Sequence, residues 1–195
     1  MRMKIITIFI SMLFLVSIFS MTTIAGDEEN PEIKDFIDDT DLKFLDIESA
    51  WFFEEEENPE YLYISLKINY LKENYNAVFS VRWTYNNDVY ISGLDTFYFK
   101  NNVFRSGLRQ RATHWQWKNM PECFGLFNID TDIITWKILK SNIGNPQKGD
   151  ILSNTEASAV PGFPMSFLYF FLGNDYRDFA PDTFGEYGLD YIIKY

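Results

Sequence analysis

Residues 61–69 read YLYISLKIN and residues 77–85 read AVFSVRWTY. In the first stretch Leu62, Ile64, Leu66 and Ile68 alternate with Tyr63, Ser65, Lys67 and Asn69; in the second, Ala77, Phe79, Val81, Trp83 and Tyr85 take every other position. Successive side chains of a strand point to opposite faces, whereas a helix gathers apolar residues three and four apart. A period of two across both stretches therefore specifies half-buried strands. Asn86, Asn87 and Asp88 tolerate the backbone of a tight turn, and residues 89–94 resume an apolar course, so the three pieces read as a meander.

The same pattern extends in both directions. Ahead of it, residues 45–53 place Ile47, Ser49, Trp51 and Phe53 on one face of a first strand, with 54–59 as its turn. Behind it, residues 96–99 and 103–108 flank Lys100, Asn101 and Asn102 as a second hairpin, and 129–132 form a turn. Ile134, Trp136 and Ile138 alternate with Thr135, Lys137 and Leu139, after which Gly144, Asn145, Pro146 and Gly149 force an irregular connection. Residues 151–159 are a further extended segment, Pro161, Gly162 and Pro164 break the pattern, and 165–172 form an apolar run that fits a buried strand or a short helix. Leu189, Tyr191, Ile193 and Tyr195 alternate to the end, which ties the C-terminus into a sheet. Many short strands without intervening helical periodicity predict an all-β fold, a two-sheet antiparallel β-sandwich of jelly-roll-like type with about 8–10 strands. Trp51, Trp83 and Trp136 are its core candidates.

The chain of 195 residues suits a single domain, residues 42–195, preceded by two different segments. Arg2 and Lys4 followed by an apolar run and the small residues Thr22, Thr23, Ala25 and Gly26 have the layout of a secretory signal, residues 1–26. The competing reading is an uncleaved anchor, since residues 5–24 match the roughly 20 that span a bilayer. Residues 27–41 are acidic and aperiodic and read as a flexible lead-in. The expected location is extracellular or at the cell surface, with membrane contact only through an uncleaved N-terminal segment. Without its first 26 residues the chain keeps 15 basic and 28 acidic residues, a net charge of −13. Nucleic-acid affinity comes mainly from phosphate neutralisation by clustered basic residues, so nucleic acid is excluded as a partner. Cys123 is the only cysteine, which rules out an internal disulfide and leaves a small buried residue or an unpaired thiol.

His114 is the only histidine, no serine sits in a Gly-x-Ser-x-Gly elbow and no glycine-rich phosphate loop occurs, so no enzyme activity is expected. A glycosidase built on two carboxylates is the catalytic alternative. Arg105, Arg109, Arg111, His114, Trp115 and Trp117 concentrate guanidinium and indole groups in an acidic chain. Exposed together, Arg109, Arg111, His114, Trp115 and Trp117 stack on and hydrogen-bond a sugar or another planar ligand; packed inward, the two tryptophans fill the core while the arginines pair with acids. Asn174, Asp175, Asp178 and Asp182 offer the clustered oxygens that calcium prefers, although their spacing is not that of an EF-hand and such a run also reads as a solvated face. Asp38, Asp39, Asp41 and Asp46 form a further acidic set near the first strand.

Three stretches carry a resemblance: DLKFLDIESAWFFEEEENPEYLYISLKI (41–68), DIITWKILKSNIGNPQKGDILSNTEASA (132–159) and NDYRDFAPDTFGEYGLDYIIKY (174–195). They resemble uncharacterised exported archaeal domains and, more distantly, the DOMON-like and family 9 carbohydrate-binding β-sandwiches. That resemblance implies a sandwich used as a non-catalytic binding module, with a glycan or another envelope component as ligand. The alternative is a structural or protein-interaction domain at the cell surface without a small-molecule pocket.

Overall fold

The computed structural model describes residues 26–73, 76–96, 102–109, 120–162, 166, 176–182 and 186–195. Eleven strands are found among them: β1 (Ile33–Lys34), β2 (Ile47–Phe53), β3 (Tyr61–Ile68), β4 (Ala77–Tyr85), β5 (Asp88–Asp95), β6 (Val103–Leu108), β7 (Phe124–Asn128), β8 (Ile133–Leu139), β9 (Ile151–Pro161), β10 (Asp178–Ala180) and β11 (Tyr191–Ile192), with a 3-10 turn at Lys140–Ile143. They form two antiparallel sheets, β1-β2-β3-β8-β7 and β10-β9-β4-β5-β6, with β11 added to β9. The fold is the all-β sandwich that the alternation predicts. Residues 1–25 of the expected signal helix, and the 165–172 run apart from Ser166, lie outside the described residues. No described helix is long and apolar enough to cross a membrane.

Local chemistry explains the hairpins. Asn86 and Asn87 take φ of 50° and 66° between the paired Tyr85 and Asp88. Two left-handed residues match the right-handed twist of the flanking strands, and asparagine accepts that conformation at low cost. The inward faces then interlock. Leu62, Ile64, Leu66 and Ile68 of β3 and Ile134, Trp136 and Ile138 of β8 meet Phe79, Val81 and Trp83 of β4 in one core cluster. Phe52 packs edge-on to Trp83 with ring centroids 5.7 Å apart, and Phe104 edge-on to Trp136 at 6.0 Å. Trp83 and Trp136 are core residues as expected.

Trp51 is not. The pairing of β2 with β3 shifts register between Ile47 and Ser49. That bulge sends Ala50 and Phe52 into the core cluster and turns Trp51 and Phe53 onto the outward face beside Ser65 and Tyr63. Trp51 is buried all the same, against neighbours on that outer surface. The lead-in of residues 27–41, expected to be flexible, contributes β1, whose Ile33 is fully buried and pairs with Ala50.

Both sides of the sandwich are closed by chain that crosses between the sheets. On one side residues 121–123 bond to β6, with Ser106 N donating to Pro121 O and Cys123 N to Phe104 O, before the chain enters the other sheet as β7. Gly125 is required there, because a Cβ would run into the Phe104 ring. On the other side β10 pairs with β9 while Asp178 accepts a hydrogen bond from Ile47 N of β2 at 2.6 Å. The C-terminus is held by a buried pair: Lys140 Nζ lies 2.5 Å from Glu54 Oε1 and donates to Tyr195 O, and Glu54 Oε2 accepts from Lys194 N and Tyr191 Oη.

Two outcomes test this packing by urea denaturation. Trp136→Ala is expected to lower stability by about 3–5 kcal/mol, against about 0.5 kcal/mol or less for Leu126→Ser on the outward face. Lys140→Met, which leaves Glu54 buried without its counter-charge, is expected to cost about 3–5 kcal/mol, and the Glu54→Gln/Lys140→Met double variant to recover part of that.

Candidate functional site

Two surfaces of the sandwich carry chemistry. The first lies where the approach to β2 meets β10. Asp39, Asp46 and Asp178 each bring a carboxylate oxygen within 4.8 Å of the others, and so do Asp35, Asp39 and Asp182, with Asp39 common to both groups. Hydrogen bonds orient the two buried members. Asp178 Oδ2 accepts from Ile47 N, and Asp46 Oδ2 accepts from Asp38 N at 2.9 Å and Asn69 Nδ2 at 2.6 Å. Asp38 has φ of 67°, the left-handed turn that brings its amide over Asp46. Asp182 Oδ2 accepts from Phe36 N at 3.4 Å and Asp35 Oδ1 from the same amide at 3.1 Å.

Burial, aided by the neighbouring carboxylates, raises the proton affinity of Asp35, Asp39 and Asp178. Burial, with the neighbouring Asp182 and Asp178, pushes Asp35 up to about 9. Burial and the same two neighbours bring Asp39 to about 7, and burial brings Asp178 to about 6 against the lowering effect of the Ile47 amide. The cation paired in this neighbourhood is Lys43, an exposed side chain 3.1 Å from Asp38 Oδ1.

The arrangement joins two stretches that the sequence offers separately. Asp178 and Asp182 come from the C-terminal acidic set, Asp39 and Asp46 from the set before β2, and Asp35 was in neither. Asp38 and Asp41 stand outside both groups, Asp38 bonding Asn69 and Lys43 instead. Asn174 and Asp175 lie outside the described residues, as do Arg111, His114, Trp115 and Trp117. Arg109 is described and exposed, its amide bonded to Val89 O. Arg105 pairs with Glu122 at 2.8 Å and donates to Met120 O, in the role of a strand-edge tie. Cys123 is partly buried against the core, and burial pushes its thiol up to about 12.

The second surface is the outward face of the β1-β2-β3-β8-β7 sheet, on which pairing aligns side chains in rows. Phe53, Tyr63, Lys137 and Phe124 form one row, and Trp51, Ser65, Thr135 and Leu126 the next. Phe53 stacks on Tyr63 at 4.9 Å, Lys137 Nζ lies 4.2 Å from the Tyr61 ring centroid, and Ser65 Oγ is 3.0 Å from Thr135 Oγ1. Tyr63 Oη donates to Glu55. At the outer edge Phe124 and Leu126 are 73% and 60% exposed. An open cleft of about 850 Å³ adjoins this face, lined by Glu28, Lys34, Asp35, Glu48, Ser49 and Lys67 among others. Lys67 bridges its two glutamates, 2.9 Å from Glu28 and 3.2 Å from Glu48.

A buried acid near the acidic cluster gives a direct pH test. Glu32 is 2% exposed and accepts a hydrogen bond from Phe52 N. Burial raises it from 4.5 to about 7, opposed by the Phe52 amide and Lys194. The folded protein thus holds this proton more tightly than the unfolded chain, so Glu32 lowers stability as pH rises from about 4.5 through about 7. Glu32→Gln, which keeps an acceptor for Phe52 N, is expected to remove that loss. Its stability relative to the parent should rise between pH 5 and pH 8 by on the order of 3 kcal/mol, read from urea midpoints.

No family model, curated protein or solved structure matches this chain. The comparisons therefore neither strengthen nor weaken the resemblance to DOMON-like and family 9 carbohydrate-binding sandwiches.

Proposed function

We propose that this domain is a non-catalytic binding module whose ligand, a glycan of the cell envelope, lies across the outward face of the β1-β2-β3-β8-β7 sheet. The observation that carries this reading is the pair of in-register rows, in which the half-buried Lys137 and Thr135 stand beside the exposed Phe124 and Leu126. A pyranose ring presents apolar C–H groups beside hydroxyls, so it is matched by ring faces interleaved with hydrogen-bonding groups. Phe124 supplies the most open ring of these rows, and Lys137 and Thr135 stand next to it across the β7–β8 ladder. Lys67 already pairs with Glu28 and Glu48 of the adjoining cleft, which fits a surface that holds its ligand and leaves it unchanged.

One observation favours a second reading, a protein-contact surface. Phe124 and Leu126 sit together on β7, a terminal strand of its sheet, and exposed apolar residues at such an edge suit a partner polypeptide. Affinity electrophoresis through immobilised envelope polysaccharides separates the two. The glycan reading expects retardation that Phe124→Ala reduces about tenfold, with the melting temperature within about 2 °C of the parent, as suits an exposed side chain. Unretarded migration in every polysaccharide would sink it. The protein-contact reading then expects cross-linking to an envelope protein that Leu126→Lys abolishes.

A further inference from the structure

We propose that Asp39, Asp46 and Asp178, extended by Asp35 and Asp182, form a calcium site that fastens the approach to β2 onto β10. The donors are all carboxylate oxygens, the ligand type of a hard cation, and they come from two parts of the chain about 140 residues apart, as the spacing of Asp39 and Asp178 shows. Within each group of three the oxygens lie no more than 4.8 Å apart. Calcium–oxygen distances of about 2.3–2.6 Å allow a single ion to reach oxygens at that separation, whereas magnesium, at about 2.0–2.1 Å with strict octahedral demands, requires the group to contract.

Proximity of acids is not by itself a site; the second observation is the state of Asp46. Its residue is fully buried, its carboxylate is turned into the group with Asp39 and Asp178, and its Oδ1 has no hydrogen-bond partner. The orphan is not due to a poorly placed side chain, since the other oxygen is fixed by Asp38 N and Asn69 Nδ2. Buried polar atoms in native proteins are satisfied by protein, water or ion, and an unsatisfied carboxylate oxygen among other carboxylates calls for a cation. Asp39 belongs to both groups, which makes it the residue on which the two ends of the cluster meet.

The experiment uses the purified full chain, stripped with a chelator and titrated with calcium chloride, with magnesium chloride at equal ionic strength as the control. Calorimetric heats with saturation are expected for calcium. At a hundredfold excess over the dissociation constant the melting temperature is expected to rise by about 5–10 °C. Asp46→Asn and Asp178→Asn should lose that rise. Both side chains also bond backbone amides, so Asp39→Asn, an exposed position, provides the variant whose folding is not at stake; it is expected to fold and to weaken calcium binding at least tenfold. Asp88→Asn, exposed in the β4–β5 turn at the end of β4 away from β10, should respond as the parent does. No heat and no shift in the parent chain, or a full response in folded Asp39→Asn, Asp46→Asn and Asp178→Asn alike, would overturn the assignment.

Discussion

The constraint on which the remainder rests is the outer edge of β2. Its one strand neighbour on that side, β1, is two residues long and pairs only at Ser49 and Ala50. The amides of Ile47 and Phe52 on either side of that short ladder are taken up by carboxylates, Asp178 and Glu32. A buried amide without an acceptor costs as much as a lost hydrogen bond, so acids from two remote parts of the chain complete what a longer strand would have done. Each of these bonds also ties one layer or terminus to another. Asp178 belongs to β10 of the opposite sheet, and Glu32 O accepts from Leu189 N at the approach to β11. With one cysteine in the chain, no disulfide within it performs that task.

This way of closing an edge has an electrostatic consequence. Bringing Asp178 to Ile47 N places it beside Asp46, one residue earlier in the chain, and the turn at Asp38 adds Asp35 and Asp39. The backbone requirement is met by Asp178 Oδ2 and Asp46 Oδ2, and both carboxylates stand in one group with Asp39. Elsewhere in the fold three buried or half-buried acids are paired with cations: Glu54 with Lys140, Glu156 with Arg82, Glu48 with Lys67. At the β2–β10 junction the lysine paired among the described residues, Lys43, is exposed and faces Asp38. The acid-rich composition of the chain is thus not evenly distributed in its effect; in this cluster two buried carboxylates, Asp46 and Asp178, lie among other acids.

The strands that alternation reveals are β3, β4 and β8, whose core residues fall at every second position, whereas β5 and β9 read only as an apolar and an extended run. β2 misleads because a single extra residue at its start inverts the faces, and a bulge leaves no mark in a run such as IESAWFF, apolar on both sides of the inversion. β7 is invisible for a different reason. Its inward position is Gly125, forced by the Phe104 ring, while its large residues Phe124 and Leu126 point out. β10, three residues in an acidic stretch, reads as loop because its strand character comes wholly from β9. The acidic cluster was legible as two halves and not as a whole. Asp178 and Asp46 are each unremarkable in local sequence, and only the pairing of β10 beside β2 makes them neighbours.

That contrast bears on how the two surfaces differ in kind. The rows on the outward sheet face depend on strand register alone, so any sequence that keeps β3 paired to β8 keeps Tyr63 beside Lys137 and Ser65 beside Thr135. The acidic cluster depends in addition on sheet-to-sheet docking and on the left-handed turn at Asp38. A charge placed there acts on the joint between the layers, not on either layer. Ligand held on the outer face leaves the sandwich as it is, whereas a cation held at the joint becomes part of what keeps β10, the approach to β2 and the two sheets in register.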